Sequence, residues 1–288
     1  MSGGYFVTGT DTGIGKTVVS ACLLRALHQH GRKAIYMKPV QTGCEERGGN
    51  RIAPDPEFVA ASTGIQGTAQ DQDAICPYRL LMPASPHLAA RQEKVEIDLT
   101  RIMRAYARLQ AHYDELVVEG AGGVWVPLNS RESMLDLMTR INLPVVVACR
   151  SGLGTINHTL MTLQALRHRG LTVAGLVLVD THNEPRGEIE ADNRRTLEQW
   201  GRAPVLGWIP YQPRIAEGAP DPDYIARQAD ALTFDKEGRI SRPRPPCADG
   251  AKVQQLRDSE RKTKSLRGAK MEEAPPSLNS GSSYYDQW

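Results

Sequence analysis

At 288 residues the chain is long enough for one sizeable α/β domain with its own core, or for one domain followed by a tail. Charged residues make up 24% and the formal net charge is +2, so no general attraction to nucleic acid or to an anionic membrane is expected, and any affinity for anions must be local. The five cysteines, Cys22, Cys44, Cys76, Cys149 and Cys247, lack CxxC spacing and are odd in number. That argues against a zinc knuckle and a disulfide framework, and reduced thiols are expected. Neither a signal peptide nor a membrane-spanning run is expected, which makes the cytoplasm the expected location.

The predicted elements alternate. Apolar runs bounded by Gly and Pro at Tyr5–Thr8, Ala34–Lys38, Leu116–Glu119, Val145–Cys149, Val173–Val179 and Val205–Ile209 read as buried strands. Segments with helical spacing lie between them, at Lys16–His30, Leu99–Tyr113, Asn157–Arg169 and Ile189–Trp200. Strand and helix repeated in this way imply a mostly parallel sheet with helices on both faces, and ligands at the carboxyl ends of the strands. The apolar rhythm stops after about Thr233, where Arg, Pro, Ser and Lys take over. Residues 1–234 are therefore expected to form the domain, and 235–288 to be a disordered extension without a role of its own.

The strongest signal is Gly9-Thr-Asp-Thr-Gly-Ile-Gly-Lys-Thr17, directly after the first strand and opening the first helix. Such a turn lets backbone N–H groups converge on phosphate oxygens at the positive end of the helix. Lys16 supplies a mobile charge, Thr17 the hydroxyl that a P-loop places on Mg²⁺, and Gly15 the room for close approach. Thr10 stands where the strict motif has its first glycine; Gly9 sits one residue earlier.

Other residues share that rim. Lys38 and Thr42 lie where the second strand becomes loop, and a lysine ending an apolar strand is costly to bury unless an anion meets it or its head reaches solvent. Glu119 ends a strand before Gly120, Ala121, Gly122 and Gly123, a Walker B-like placement for a carboxylate that holds Mg²⁺. Asp55, between Pro54 and Pro56, reads equally well as a helix N-cap. Ser85-Pro-His87 and Leu153-Gly-Thr-Ile-Asn-His158 are two further polar knots, and in the second either Thr155 or Asn157 suits the cap of the following helix.

Together, in order and spacing, Gly9–Thr17, Lys38-Pro-Val-Gln-Thr-Gly43, Ser85-Pro-His87, Glu119-Gly-Ala-Gly-Gly123 and Gly154-Thr-Ile-Asn-His158 resemble the dethiobiotin synthetase family over about residues 4–217. The long phosphate loop, with five residues between Gly9 and Gly15, is itself the family's form. The resemblance implies a P-loop NTPase-like fold, Mg²⁺, ATP as co-substrate, and a homodimer whose substrate site is shared between subunits. It also implies conversion of 7,8-diaminopelargonate, CO₂ and ATP to dethiobiotin, ADP and phosphate. By resemblance Lys38 and Lys16 are catalytic. Gly13, Ile14, Gly15, Lys16, Thr17 and Val18 cradle the phosphates, with Asp55, Glu119, Gly120, Ala121 and Gly122 beside them. Thr17, Asp55 and Glu119 hold Mg²⁺; Thr12 and Thr42 contact the substrate or its carbamate; and Leu153, Gly154 and Asn157 of the neighbouring subunit hold its carboxylate end.

Val179, Asp180, Pro210, Tyr211, Gln212 and Glu217 form the implied base pocket. Two positions depart from the family: Gly13 stands where an acidic residue is frequent, and Val179 replaces an asparagine whose amide can read adenine, so relaxed nucleotide selectivity is expected. A ParA- or MinD-like regulatory ATPase shares the fold class, but usually carries a second lysine five residues before the loop lysine, where this chain has Asp11. A related cofactor-synthesis ligase is the other alternative; such enzymes usually append a glutaminase domain, for which the tail is too short and too polar.

Overall fold

The structure is a computed structural model that describes residues 3–233; the extension expected at 235–288 lies outside the described residues. Six strands form the main sheet: β1 (Gly3–Gly9), β2 (Ala34–Met37), β3 (Glu115–Gly123), β4 (Val145–Arg150), β5 (Val173–Val179) and β6 (Val205–Ile209). They run parallel in the order β6-β5-β4-β1-β3-β2. The chain leaves β1, passes over to the edge at β2, returns to β3, and then crosses to β4 on the far side of β1. The crevice at the carboxyl end of β1 is thus a topological switch point, where open α/β sheets bind ligands.

The principal helices are α1 (Lys16–Gln29), α2 (Pro54–Thr63), α3 (Leu99–Gln110), α4 (Met134–Ile141), α5 (Thr155–His168), α6 (Glu188–Gly201) and α7 (Pro222–Asp230). Their starts follow local chemistry. Asp98 caps α3 by accepting from the Thr100 N–H at 2.7 Å, and Ser133 with Asp136 closes a capping box on α4. Two caps that the sequence left open are decided by the structure. Ala53, not Asp55, caps α2, which leaves Asp55 in the first turn with its carboxylate free to face β2. Gly154 in a left-handed conformation caps α5, while the Thr155 hydroxyl is buried against Thr159 at 3.2 Å and Asn157 is exposed.

Because side chains alternate across a strand, the sheet sorts its residues into two cores. Phe6, Met37, Val118 and Val147 pack on one face with Ile102 of α3, Leu137 of α4 and Leu166 of α5. Tyr5, Val7, Tyr36, Val117 and Val146 pack on the other with Val19 and Leu23 of α1, Val59 of α2 and Ile225 of α7. That parity decides the site. Tyr36 pairs in register with Val117, so two residues onward Lys38 and Glu119 stand opposite each other on the face that carries α1.

The sheet also leaves no room at Gly175 in β5, where a Cβ would lie 2.5 Å from Leu206 Cγ of β6. Gly175→Ala is expected to destabilise the fold by about 1–3 kcal/mol through overpacking. Urea denaturation measures it; an unchanged midpoint would show that Leu206 moves aside freely.

Candidate active site

The phosphate loop is shaped by backbone limits. Gly15, the N-cap of α1, has φ +87, and a Cβ there would come 3.0 Å from Val179 Cγ1. Both the left-handed backbone and the neighbouring strand end therefore demand glycine. The first turn of α1 carries no acidic residue, so nothing negative competes for the positive helix end. Lys16 folds back and donates to the Asp11 carbonyl at 2.7 Å. Asp11 in turn accepts from the Thr12 N–H at 2.7 Å and from Arg150 Nη2 at 3.3 Å, which ties the loop to the end of β4.

Beside the loop lies a buried ionic knot. Lys38 Nζ is 2.6 Å from Glu119 Oε1 and 2.6 Å from Asp55 Oδ2, with the Lys38 and Glu119 side chains 5% and 1% exposed. Thr17 donates to the same Glu119 oxygen at 3.0 Å, and the Tyr36 hydroxyl donates to Glu119 Oε2 at 2.8 Å. An ammonium buried this far from water costs several kcal/mol unless it is paired. Burial does work against the charged form of Lys38, but Glu119 and then Asp55 outweigh it, and its pKa stands above that of an ordinary lysine. Lys38 stays charged.

Lys16 is tuned the other way. Burial lowers its pKa to about 8, Lys38 adds to that lowering, and Glu119 and Asp55 oppose it. The two lysines thus differ because Lys38 touches both carboxylates directly while Lys16 holds only a carbonyl.

Loop and knot open on one cavity of about 460 Å³. It brings together much of the predicted site: Thr12, Gly13, Gly15, Lys16, Thr17 and Val18 from the loop and α1, then Lys38, Thr42, Asp55, Glu119, Ala121 and Gly122. Two predicted residues, Ile14 and Gly120, are absent from that lining. Ile14 is buried beneath the loop, its side chain against Gly9, and Gly120 packs against Phe6 and Met134. Gln41, Phe58 and Ile215 also line the cavity and were missed by sequence reasoning. Gln41 is buried with its Oε1 lacking a partner, and its position between Lys38 and Thr42 was the available signal.

The implied base-pocket residues lie outside that lining, at the ends of β5 and β6. Asp180 accepts from Ser151 at 2.6 Å, from Trp208 Nε1 at 2.7 Å and from Arg186 Nε at 2.8 Å, and Arg186 lies 4.3 Å over the Trp208 ring. Pro210 accepts from the Tyr224 hydroxyl, and Gln212 reaches Asp221 at 3.2 Å. Tyr211 is half-buried and Glu217 exposed. Leu153, Gly154 and Asn157 are exposed at the start of α5, Leu153 to 83%.

Donor chemistry at the knot fits a hard divalent cation. Thr17, Asp55 and Glu119 offer oxygens only, and the Lys38 ammonium already bridges both carboxylates. Among the described residues no group of three or more His, Cys, Asp or Glu is placed to hold a metal alone. The oxygens of Thr17, Asp55 and Glu119 fit Mg²⁺, which keeps several waters and binds through one or two carboxylates plus substrate phosphates.

A family model described as an AAA domain matches residues 3–219. The ATP-dependent dethiobiotin synthetase BioD of Anaeromyxobacter dehalogenans is 41% identical over 216 residues, covering 75% of this chain and 93% of that protein. The chain belongs to the dethiobiotin synthetase family. Its similarity to the family member of Thermodesulfovibrio yellowstonii is 38% over 248 residues, 84% of this chain and 100% of that protein. Methanococcus vannielii has another, 37% identical over 204 residues, 71% of this chain and 92% of that protein. Among solved structures, the septum site-determining protein MinD of Pyrococcus horikoshii complexed with Mg-ADP superposes with a TM-score of 0.50 at 18% identity, covering 80% of this chain and 93% of that one. That likeness is one of fold alone.

The state of Lys16 makes nucleotide binding pH-dependent. Above about pH 8 its ammonium is lost in the free protein, while a bound triphosphate favours the ammonium, so binding must take up a proton there. Calorimetry in two buffers of different ionisation enthalpy should find uptake approaching one proton at about pH 9 and little at about pH 7, with affinity falling by up to about tenfold per unit above the pKa. Lys16→Arg should abolish the uptake; no uptake in the unmodified protein would contradict the assignment.

Proposed function

We propose that this protein is an ATP-dependent dethiobiotin synthetase, which carboxylates 7,8-diaminopelargonate with CO₂ and closes the ureido ring at the expense of ATP. The observation that carries the reading is the convergence of Lys16, Lys38 and the positive end of α1 on one cavity beside Glu119 and Asp55. In the proposed sequence one substrate amine attacks CO₂ and loses a proton, giving a carbamate. A carbamate oxygen then displaces ADP from the γ-phosphorus, forming a carbamic-phosphoric anhydride. The second amine attacks the carbonyl carbon and loses a proton, the C–O bond to phosphate breaks, inorganic phosphate leaves, and the ring is closed.

Each of those steps gathers negative charge on oxygen, and none needs covalent participation by the protein. Positioned cations and backbone dipoles are the suitable catalysts. Lys16, released from the Asp11 carbonyl, takes the terminal phosphates. Lys38, charged between the carboxylates and lining the same cavity, is assigned to the carbamate and the transferring phosphoryl group. Thr12 and Thr42, which both line the cavity, are assigned to the substrate end. Thr17, Asp55 and Glu119 would hold Mg²⁺, which would supply charge neutralisation to the terminal phosphates.

The active unit is read as a homodimer. Leu153, Gly154 and Asn157 stand exposed on the surface and outside the lining of their own chain's cavity, which is what a contribution to a neighbour's substrate site requires. A regulatory switch on this fold is disfavoured by Asp11, whose carboxylate is engaged by Arg150 where such proteins usually carry a second lysine. No helix among the described residues is long and apolar enough to cross a membrane.

Purified protein incubated with diaminopelargonate, bicarbonate, Mg²⁺ and ATP is expected to yield dethiobiotin, detected by mass; ATP turnover without that product would reject the reading. Lys38→Ala should leave nucleotide affinity within a few-fold and lower ring closure by about 10²–10³, the effect typical of removing one oxyanion-stabilising group. Unchanged turnover would remove Lys38 from the chemistry.

A further inference from the structure

Tyr36 carries no role in the family pattern above, yet it touches the centre of the site. Its hydroxyl donates to Glu119 Oε2 at 2.8 Å, while Glu119 Oε1 accepts from Lys38 at 2.6 Å and from Thr17 at 3.0 Å. Tyr36 is 3% exposed and Glu119 1%. Two residues before Lys38 on β2, it shares that residue's face by strand parity, and its ring is fixed in the core between β2 and α1.

The two oxygens of Glu119 are therefore unequal. One faces Thr17 and Lys38, on the cavity side; the other is turned inward and held by a phenol. A carboxylate can rotate about its last bond, exchanging its oxygens or swinging out of plane, because that torsion is broad. The Tyr36 hydroxyl opposes this rotation, since any swing leaves a buried acceptor without a donor.

We propose that Tyr36 is a positioning residue for the divalent cation: by fixing Glu119 Oε2 it presents Oε1 to the metal at a set angle beside Thr17. The proposal rests on the assignment of Glu119 to Mg²⁺. Partners that orient a metal-binding side chain in this way commonly change metal affinity by about 10–100-fold when removed.

The test uses the full-length protein bound to ADP, with Mn²⁺ as the probe and electron paramagnetic resonance reading free Mn²⁺. Tyr36→Phe is expected to weaken Mn²⁺ binding by about tenfold, with metal-free ADP affinity unchanged. In the ring-closing assay its requirement for Mg²⁺ should rise by a similar factor, and kcat should recover at saturating Mg²⁺. A merely structural loss would instead lower kcat at every Mg²⁺ concentration and leave the metal affinity of the folded fraction intact; that pattern overturns the proposal. Glu119→Gln serves as the control for the underlying assignment. If Glu119→Gln binds Mn²⁺ as tightly as the unmodified protein, the metal assignment fails. If Glu119→Gln is impaired and Tyr36→Phe is not, the role of Tyr36 alone fails.

Discussion

A single buried carboxylate ties the site together. Glu119 accepts from Thr17 at the start of α1, from Lys38 at the end of β2 and from Tyr36 within β2. Those donors come from two elements, α1 and β2, and they meet Glu119 because its own strand, β3, inserts between β1 and β2. Remove the carboxylate and an ammonium is left with Asp55 alone, while two hydroxyls lose their acceptor. Each buried donor left unsatisfied in this way costs about 1–3 kcal/mol. The knot is thus a structural fastening and a store of charge at once, poised beside the loop where a triphosphate would place its own oxygens. An anion entering the cavity competes with Glu119 and Asp55 for Lys38, and a cation competes with Lys38 for the carboxylates. Both exchanges are between like charges in the same low-dielectric place, which keeps reorganisation small.

Most of the frame was legible in the sequence. Strands at Val173–Val179 and Val205–Ile209 match the predicted bounds, and β1 to β4 differ only by a few terminal residues. These strands are buried on both faces, so they read as unbroken apolar runs that resist confusion with amphipathic segments. Shorter elements such as α4 and α7, of eight and nine residues, were too brief to be read from period, though Ser133 and Asp136 spelled a capping box for the first. Asp55 illustrates the opposite difficulty. Its setting between prolines fits a cap, and only the approach of α2 to Lys38 shows that its carboxylate faces the site.

The site was legible where a motif is local and opaque where parity decides. Gly9–Thr17 declares a phosphate loop by itself, but nothing in Tyr36 taken alone distinguishes it from other core aromatics. Its role follows from register, since Tyr36 faces Val117 and both precede the ionic pair by two residues. Gly120 and Ile14 were grouped with their neighbours by motif, and both are buried outside the cavity lining. At the far rim, Val179 takes a packing role against Gly15, and Asp180 is engaged by Ser151, Trp208 and Arg186. A base approaching there meets a carboxylate whose lone pairs already have donors, which is a different recognition surface from a free amide.

The central claim is that the Glu119–Lys38 pair marks where the terminal phosphate and the divalent cation meet. A crystal structure with Mg²⁺ and a non-hydrolysable ATP analogue tests it most directly. The account predicts that the Lys38 ammonium will lie within hydrogen-bond distance of a γ-phosphate oxygen and that Glu119 will reach the ion directly or through one water. A γ-phosphate bound away from Lys38, with the Lys38–Glu119–Asp55 contacts unchanged and the ion held by other groups, would contradict it.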